Sequence, residues 1–238
     1  MQPSARELWN CEYQRRGIPS SYRGDPSTVL KWALHNWPFL TGRPTPLTAL
    51  DSGCGTGRNA RHLADCGVAV VGLDISDAAI GKCVRRGTGG RKHPAYVICD
   101  ITKGLPLRAE RFDLVSDIFV YKHIVDSDLR AMYRGEIARV LAANGRLLLS
   151  LAEERDEYYA GCPDAPGSSA GDADSNRVVL DPAAAVQSVL FSKDSLVAEM
   201  SDVFVLEMCW DREQLGIMHG RQYVRRTMAM IWRARQGR

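Results

Sequence analysis

No run of apolar residues in this 238-residue chain is long enough to cross a bilayer. The opening MQPSARELWN holds no apolar stretch of the kind that a secretion signal carries. The seven cysteines (Cys11, Cys54, Cys66, Cys83, Cys99, Cys162 and Cys209) are odd in number, scattered, and never spaced C-x-x-C. Neither a disulfide framework nor a metal site follows from that pattern, which predicts reduced thiols in a cytoplasmic protein, several of them in the core. Strong charge of one sign is missing too: 31 Lys and Arg stand against 28 Asp and Glu, for a net charge of +3. The basic residues cluster only as pairs, at Arg15-Arg16, Arg85-Arg86, Arg91-Lys92 and Arg225-Arg226. Such pairs read as solvated surface, so the expected partner is a small molecule and not a membrane, while nucleic acid is disfavoured and an RNA substrate unsupported rather than excluded. Internal repeats are absent. What remains is 45% hydrophobic and 25% charged, an ordinary composition for one generous domain, or one with an added cap, whose core needs no staple.

Ser4 followed by Glu7 is a capping-box pattern and predicts a helix over Ala5–Arg16. Gly17–Pro26 reads as a loop, and Ser27 caps a second helix, Thr28–Trp37, which Pro38 stops. Thr41–Pro46 is a Pro/Gly linker, so residues 1–46 are expected to form a helical cap on a domain spanning 47–238. From Leu47 the period changes. Short apolar runs at Leu47–Leu50, Val68–Leu73, Ala95–Cys99, Phe112–Ile118 and Arg146–Leu151 alternate with helical stretches, among them Asp77–Arg86 and Asp128–Leu141. Alternation of this kind predicts βαβ units and a doubly wound, mostly parallel α/β sheet. The Gly-, Pro- and Ser-rich stretch Glu153–Asp181 breaks the rhythm and reads as a long lid loop, an insertion over about 153–182. A helix is expected near Lys193–Met200. Val203–Trp210 and Tyr223–Trp232 then read as an antiparallel hairpin on the sheet edge, making seven strands in all.

The most informative segment is Asp51–Asn59, reading DSGCGTGRN. Gly53, Gly55 and Gly57 between a strand and a helix permit a tight turn and close approach of a ligand to the backbone. The helix that follows presents free N–H groups. Asp51 just ahead would repel a pyrophosphate but attract an ammonium and a sulfonium, which disfavours a nicotinamide dehydrogenase. S-adenosylmethionine (SAM) carries both cations and no phosphate. Asp74, ending the second strand, suits the two ribose hydroxyls. Asp100, ending the third, suits an adenine amino group, with the Ile101 N–H toward a ring nitrogen and Ile75 packed on the adenine face. Each acid alone also reads as a strand-end or N-cap residue. Three on successive strand ends beside this glycine turn point to a cofactor.

Together, ALDSGCGTGRNARHLA, VAVVGLDIS, YVICDI and RFDLVSDIFVYKHIVD resemble the successive motifs of the class I SAM-dependent methyltransferases, over about Leu47 to Leu151. The resemblance implies a Rossmann-like fold with SAM as cofactor. It places Gly53, Gly55 and their neighbours Cys54 and Arg58 at the methionine part, and Asp51 near its ammonium. Asp74 would lie at the ribose, and Asp100 with Ile101 at the adenine. Asp117 would border the methyl group. ELWNCEYQRRGIPSSYRGDPSTVL and GIMHGRQYVRRTMAMIW are further similar to the opening and ending of the tellurite-resistance and thiopurine methyltransferase-like group. That likeness implies that His219 and Arg226 approach the methyl donor. The lid is longer than in that group, so its substrates do not carry over.

Residues for an acceptor are expected from three places. Phe119, Tyr121, Lys122 and His123 follow the fourth strand, Tyr158 and Tyr159 open the lid, and Trp9, Tyr13 and Tyr22 lie in the cap. Tyr121, His123 and His219 are the expected catalytic groups. The expected reaction is in-line methyl transfer to a small-molecule N, O, S or other chalcogen atom. Two alternatives keep SAM: transfer of its aminocarboxypropyl group or its cyclisation, which releases methylthioadenosine, and a non-catalytic SAM-binding partner protein.

Overall fold

The computed structural model describes residues 3–36, 47–86, 93–167 and 176–235. Helix α1 (Ala5–Arg15) starts as expected. Ser4 Oγ accepts from the Glu7 N–H, the Glu7 carboxylate accepts from the Ser4 N–H at 2.7 Å, and left-handed Arg16 ends the helix. The expected loop after it contains one short helix, α2 (Pro19–Tyr22), with Pro at N1. Helix α3 (Thr28–Asn36) is capped by Ser27 Oγ, which accepts from the Leu30 N–H. Trp37 and the linker Thr41–Pro46 lie outside the described residues.

The core region alternates as its hydrophobic period requires: β1 (Thr48–Ser52), α4 (Arg58–Asp65), β2 (Ala69–Asp74), α5 (Asp77–Arg86), β3 (Ala95–Ile98), β4 (Phe112–Ile118), α6 (Ser127–Val140) and β5 (Leu141–Ala152). After these come α7 (Glu157–Ala160), β6 (Val178–Leu180), β7 (Gln187–Val189), α8 (Lys193–Met200), β8 (Phe204–Met218) and β9 (Arg221–Ala234). The seven-stranded sheet has the order β3-β2-β1-β4-β5-β9-β8. Strands β1 to β5 pair in parallel, and β9 runs against both its neighbours. Side-chain alternation along each strand divides the core between two faces. Leu50, Val115 and Leu149 pack with Tyr133 and Ile137 of α6. Ala49, Leu114 and Leu148 pack with Leu30 of α3 and Leu63 of α4. The order reverses between β1 and β4, and the crevice that opens at such a point lies at the carboxyl ends of the strands.

Two expectations change. Glu153–Asp181 is no plain loop where it is described. It contains α7, whose cap Asp156 is fully buried, and β6, which pairs antiparallel with β7. Four- and three-residue elements are too short to show a period. The hairpin is also longer than its apolar runs, because pairing continues from Asp211↔Met228 to Met218↔Arg221. Asp211, Arg212, Glu213 and Gln214 follow Trp210 in a row on that exposed edge strand, so its apolar run breaks there while its backbone ladder does not. Among the described residues no helix is long and apolar enough to cross a membrane.

Candidate active site at the carboxyl ends of the strands

A cavity of about 270 Å³ opens at the ends of β1 to β4, roofed by α1 and closed on its far side by the segment around β6 and β7 and by β9. One end holds most of the expected cofactor residues. Gly53, Arg58, Asp74, Ile75, Asp100 and Ile101 all line it, with Tyr13 and Trp9 above. Left-handed geometry shapes the glycine turn. At Gly53 (φ +64°) a Cβ would lie 2.1 Å from Val120 Cγ2, and at Gly55 (φ +56°) it would lie 2.6 Å from the Tyr13 hydroxyl. Asp74 holds the turn to β2: Oδ2 accepts from the Gly55 N–H at 2.8 Å and Oδ1 from the Ser76 N–H at 2.9 Å. Each oxygen keeps a second lone pair for a ligand hydroxyl. Asp100 Oδ1 accepts from the Thr102 N–H and hydroxyl, and these bonds with Lys103 hold its carboxyl below the usual range against the opposing effect of partial burial.

Asp51, Cys54 and Gly55 lie beneath this surface rather than in it. Asp51 is buried; its Oδ1 accepts from Ser116 Oγ at 2.7 Å, and its Oδ2 has no hydrogen-bond partner among the described residues. Burial raises its pKa from 3.8 to about 6, and the Arg58 charge opposes that rise. Cys54 packs against Ile80 and Cys83. Asp117 departs from expectation. It is fully buried, accepts from the Val120 and Tyr121 N–H groups at 3.1 Å each and from the Tyr133 hydroxyl at 3.0 Å, and does not line the cavity. It anchors the turn after β4, and its neighbours Ile118 and Phe119 face the ligand space instead.

The other end brings together Phe119, His123, Ile124, Tyr159, Asp181 and Arg225. His123 Nδ1 lies 2.9 Å from the Gln187 carbonyl, which can only accept, so Nδ1 carries the hydrogen and Nε2 keeps its lone pair. Its ring stands edge-on to Trp9 at 4.9 Å. Burial, with the charge of Lys122 added, lowers its pKa from 6.5 to about 3.

Several expected residues are elsewhere. Tyr121 is fully buried between Tyr133 and Phe191, its hydroxyl donating to Glu199 and accepting from Arg134 Nη1. Lys122 is fully buried, its Nζ 3.0 Å above the centroid of the Tyr159 ring. Tyr158 donates to Asp181 Oδ1 at 2.8 Å, behind the cavity wall. His219 sits in the turn between β8 and β9, its N–H on the Gly17 carbonyl and its Nε2 3.6 Å from Asp181 Oδ2. Tyr22 is half-buried and off the cavity. Arg226 points outward to Glu213 and the Arg155 carbonyl, so Arg225, and not Arg226, enters the site. A strand turns successive side chains to opposite faces, and no hydrophobic period distinguishes which arginine of the pair faces in. Asp181, Met218 and Arg225 were missed for a common reason: each reaches the cavity from an element distant in sequence.

The sequence profile of a family described as a methyltransferase domain matches residues 50–149, which hold the glycine turn and its three acids. An uncharacterized methyltransferase of Schizosaccharomyces pombe is 30% identical over 108 residues, covering 45% of this chain and 73% of its own length. The 18S rRNA (guanine-N(7))-methyltransferase of Bos taurus is 31% identical over 120 residues, covering 47% of this chain but only 41% of itself. Among solved structures, a SAM-dependent methyltransferase of Methanosarcina mazei shares the fold with a TM-score of 0.66 at 20% identity, covering 87% of this chain and 97% of its own. Fold, motif and sequence relatives agree: the chain belongs to the class I methyltransferases, enzymes whose methyl donor is S-adenosylmethionine.

Proposed function

We propose that this protein methylates a small molecule bound in the same cavity as SAM. The observation that carries the reading is that α1, the glycine turn, the β6–β7 segment and β9 all wall one cavity. An acceptor that must reach into a walled cavity beside the cofactor, rather than lie on a flat face, is small. Unmet groups at the cofactor end suit SAM. Arg58 makes no hydrogen bond among the described residues, and Asp51 Oδ2 is likewise unpartnered. The Arg58 guanidinium at the cavity wall suits the carboxylate of a methionine end, and Asp51 beneath that wall suits its ammonium by charge rather than by contact. SAM supplies an activated methyl on a sulfonium, and the carbon–sulfur bond breaks as the acceptor lone pair forms its bond to that carbon.

The chain's own residues orient and enclose. Asp74 and Asp100 hold the nucleoside by its donors, and Tyr13 and Trp9 cover it and exclude water. His123 Nε2, with its pKa at about 3, is a hydrogen-bond acceptor at neutral pH and not a store for a proton. It therefore orients an acceptor N–H or O–H so that the lone pair of that atom faces the methyl.

The test is calorimetric titration with S-adenosylhomocysteine, followed by identification of products from labelled SAM offered small-molecule extracts or total RNA. Tight binding and label in small molecules are expected. No binding overturns the cofactor assignment, methylthioadenosine as the product overturns methyl transfer, and label confined to RNA overturns the small acceptor.

A further inference from the structure

We propose that the methyl acceptor carries a carboxylate and that the guanidinium of Arg225 reads it. The proposal rests on the reading of a small-molecule acceptor and names its class.

Arg225 lines the cavity although its side chain is only 9% exposed. Its Nε donates to both oxygens of Asp156, at 3.1 and 2.8 Å, and Asp156 is itself fully buried. That carboxylate also accepts from the Arg226 and Tyr159 N–H groups, so the guanidinium is fixed before any ligand arrives. Nη1 and Nη2 make no hydrogen bond among the described residues, and neither is among the sealed, unpartnered atoms of the interior. Two parallel donors of a rigid fork are thus left facing the ligand space. Their geometry matches the two oxygens of a planar carboxylate.

A second basic group stands close by. Lys122 Nζ is buried without a hydrogen-bond acceptor among the described residues and lies over the Tyr159 ring, while Arg225 Cζ lies 5.5 Å from the same ring. Burial pushes Lys122 well below its ordinary pKa, and an anion in the cavity would favour its charged form. Of the acids nearby, one is fully satisfied and the other in part. Asp156 is taken by Arg225, and Asp181 Oδ1 accepts from the Tyr158 hydroxyl and from the Ala183 and Ala184 N–H groups, with Oδ2 turned to His219. The unpartnered donors of Arg225 and Lys122 call for an anionic ligand. One fork offers two donors, which suffices for a carboxylate and leaves a phosphate under-coordinated.

The aromatic walls Trp9, Phe119 and Tyr159 guide the choice of probes. Protein saturated with S-adenosylhomocysteine is titrated calorimetrically with benzoate and 4-hydroxybenzoate, with their primary amides, and with phenyl phosphate. Each acid is expected to bind at least about tenfold more tightly than its amide. Arg225→Lys keeps a cation beside Asp156 but loses the fork, so that preference should fall several-fold while S-adenosylhomocysteine binds as before. The proposal is overturned if the acids bind no better than the amides or not at all, if phenyl phosphate binds best, or if Arg225→Lys retains the full preference. The comparison on the unaltered protein stands even if the variant does not fold. Loss of S-adenosylhomocysteine binding by the unaltered protein would instead remove the underlying reading, and this one with it.

Discussion

Tyr121 and His123 stand two residues apart in one short turn, yet only His123 faces the cavity. Asp117 sets that difference by accepting from the Val120 and Tyr121 N–H groups, which turns the tyrosine ring into the core. Tyr121→Phe should therefore cost about 2–3 kcal/mol of stability in denaturant melts, because its hydroxyl makes two hydrogen bonds, both to charged partners. Glu199 and Arg134 still meet at 3.3 Å without that hydroxyl, so kcat should stay within about twofold. His123→Gln should leave S-adenosylhomocysteine binding intact and lower kcat about tenfold or more. Because the imidazole stays neutral, no inflection from it should appear in kcat between about pH 5 and 8. A drop in affinity for S-adenosylhomocysteine in His123→Gln would mean that the residue serves the cofactor instead.

At the scale of elements, α1 is the lid over the cofactor end, and it is pinned chiefly to the start of α5. Asn10 Oδ1 accepts from Ser76 Oγ at 2.7 Å and from the Ala78 N–H, while its amide donates to Asp77 Oδ1 at 2.7 Å. Arg6 adds an exposed ion pair to the same Asp77, of the kind that contributes little. Asn10→Ala should loosen this roof without touching the sheet. The expected result is several-fold faster dissociation of S-adenosylhomocysteine in stopped flow, with the melting temperature lowered by only a few degrees. An unchanged off-rate would show that α1 does not gate the site. The helix itself was legible in the sequence because a capping box is a local signal. Its docking was not, since Asn10 meets Ser76 and Asp77 only once the sheet has formed. The short α7 and β6 escaped for a different reason, because neither is long enough to display a period.

At the scale of the whole molecule, three buried carboxylates at the strand ends share one electrostatic condition. Burial raises Asp51, Asp74 and Asp117 from 3.8 to about 6. Between those values the folded chain holds protons that the unfolded chain has released. Their contribution to stability is therefore fully present below 3.8 and is lost as pH rises through 6. His123 opposes them: lowered from 6.5 to about 3, it contributes stability above 6.5 that is lost as pH falls toward 3. Ligand binding reverses the preference at Asp51 and Asp74, because an ammonium and ribose hydroxyls favour the ionised form. Affinity for S-adenosylhomocysteine should thus weaken as pH falls through 6, measured by calorimetry at about pH 7.5 and 5.5. Equal affinity at both values would place the ligand away from these carboxylates.

The alternation of strands and helices, the glycine turn, and an acid at the end of each successive strand were all set by the sequence itself. The reason is locality: a strand, its terminal acid and the turn after it are contiguous, so their spacing in the chain is their spacing in the fold. The cofactor end of the cavity is built almost wholly from such pieces. Its acceptor end is not. Asp181, Met218 and Arg225 come from three distant segments. The choice between Arg225 and Arg226 depended on which face of β9 met Asp156, and the choice between Tyr121 and His123 on which way Asp117 turned a loop. Tertiary packing alone decided those directions, because each is fixed by a partner far away in the chain.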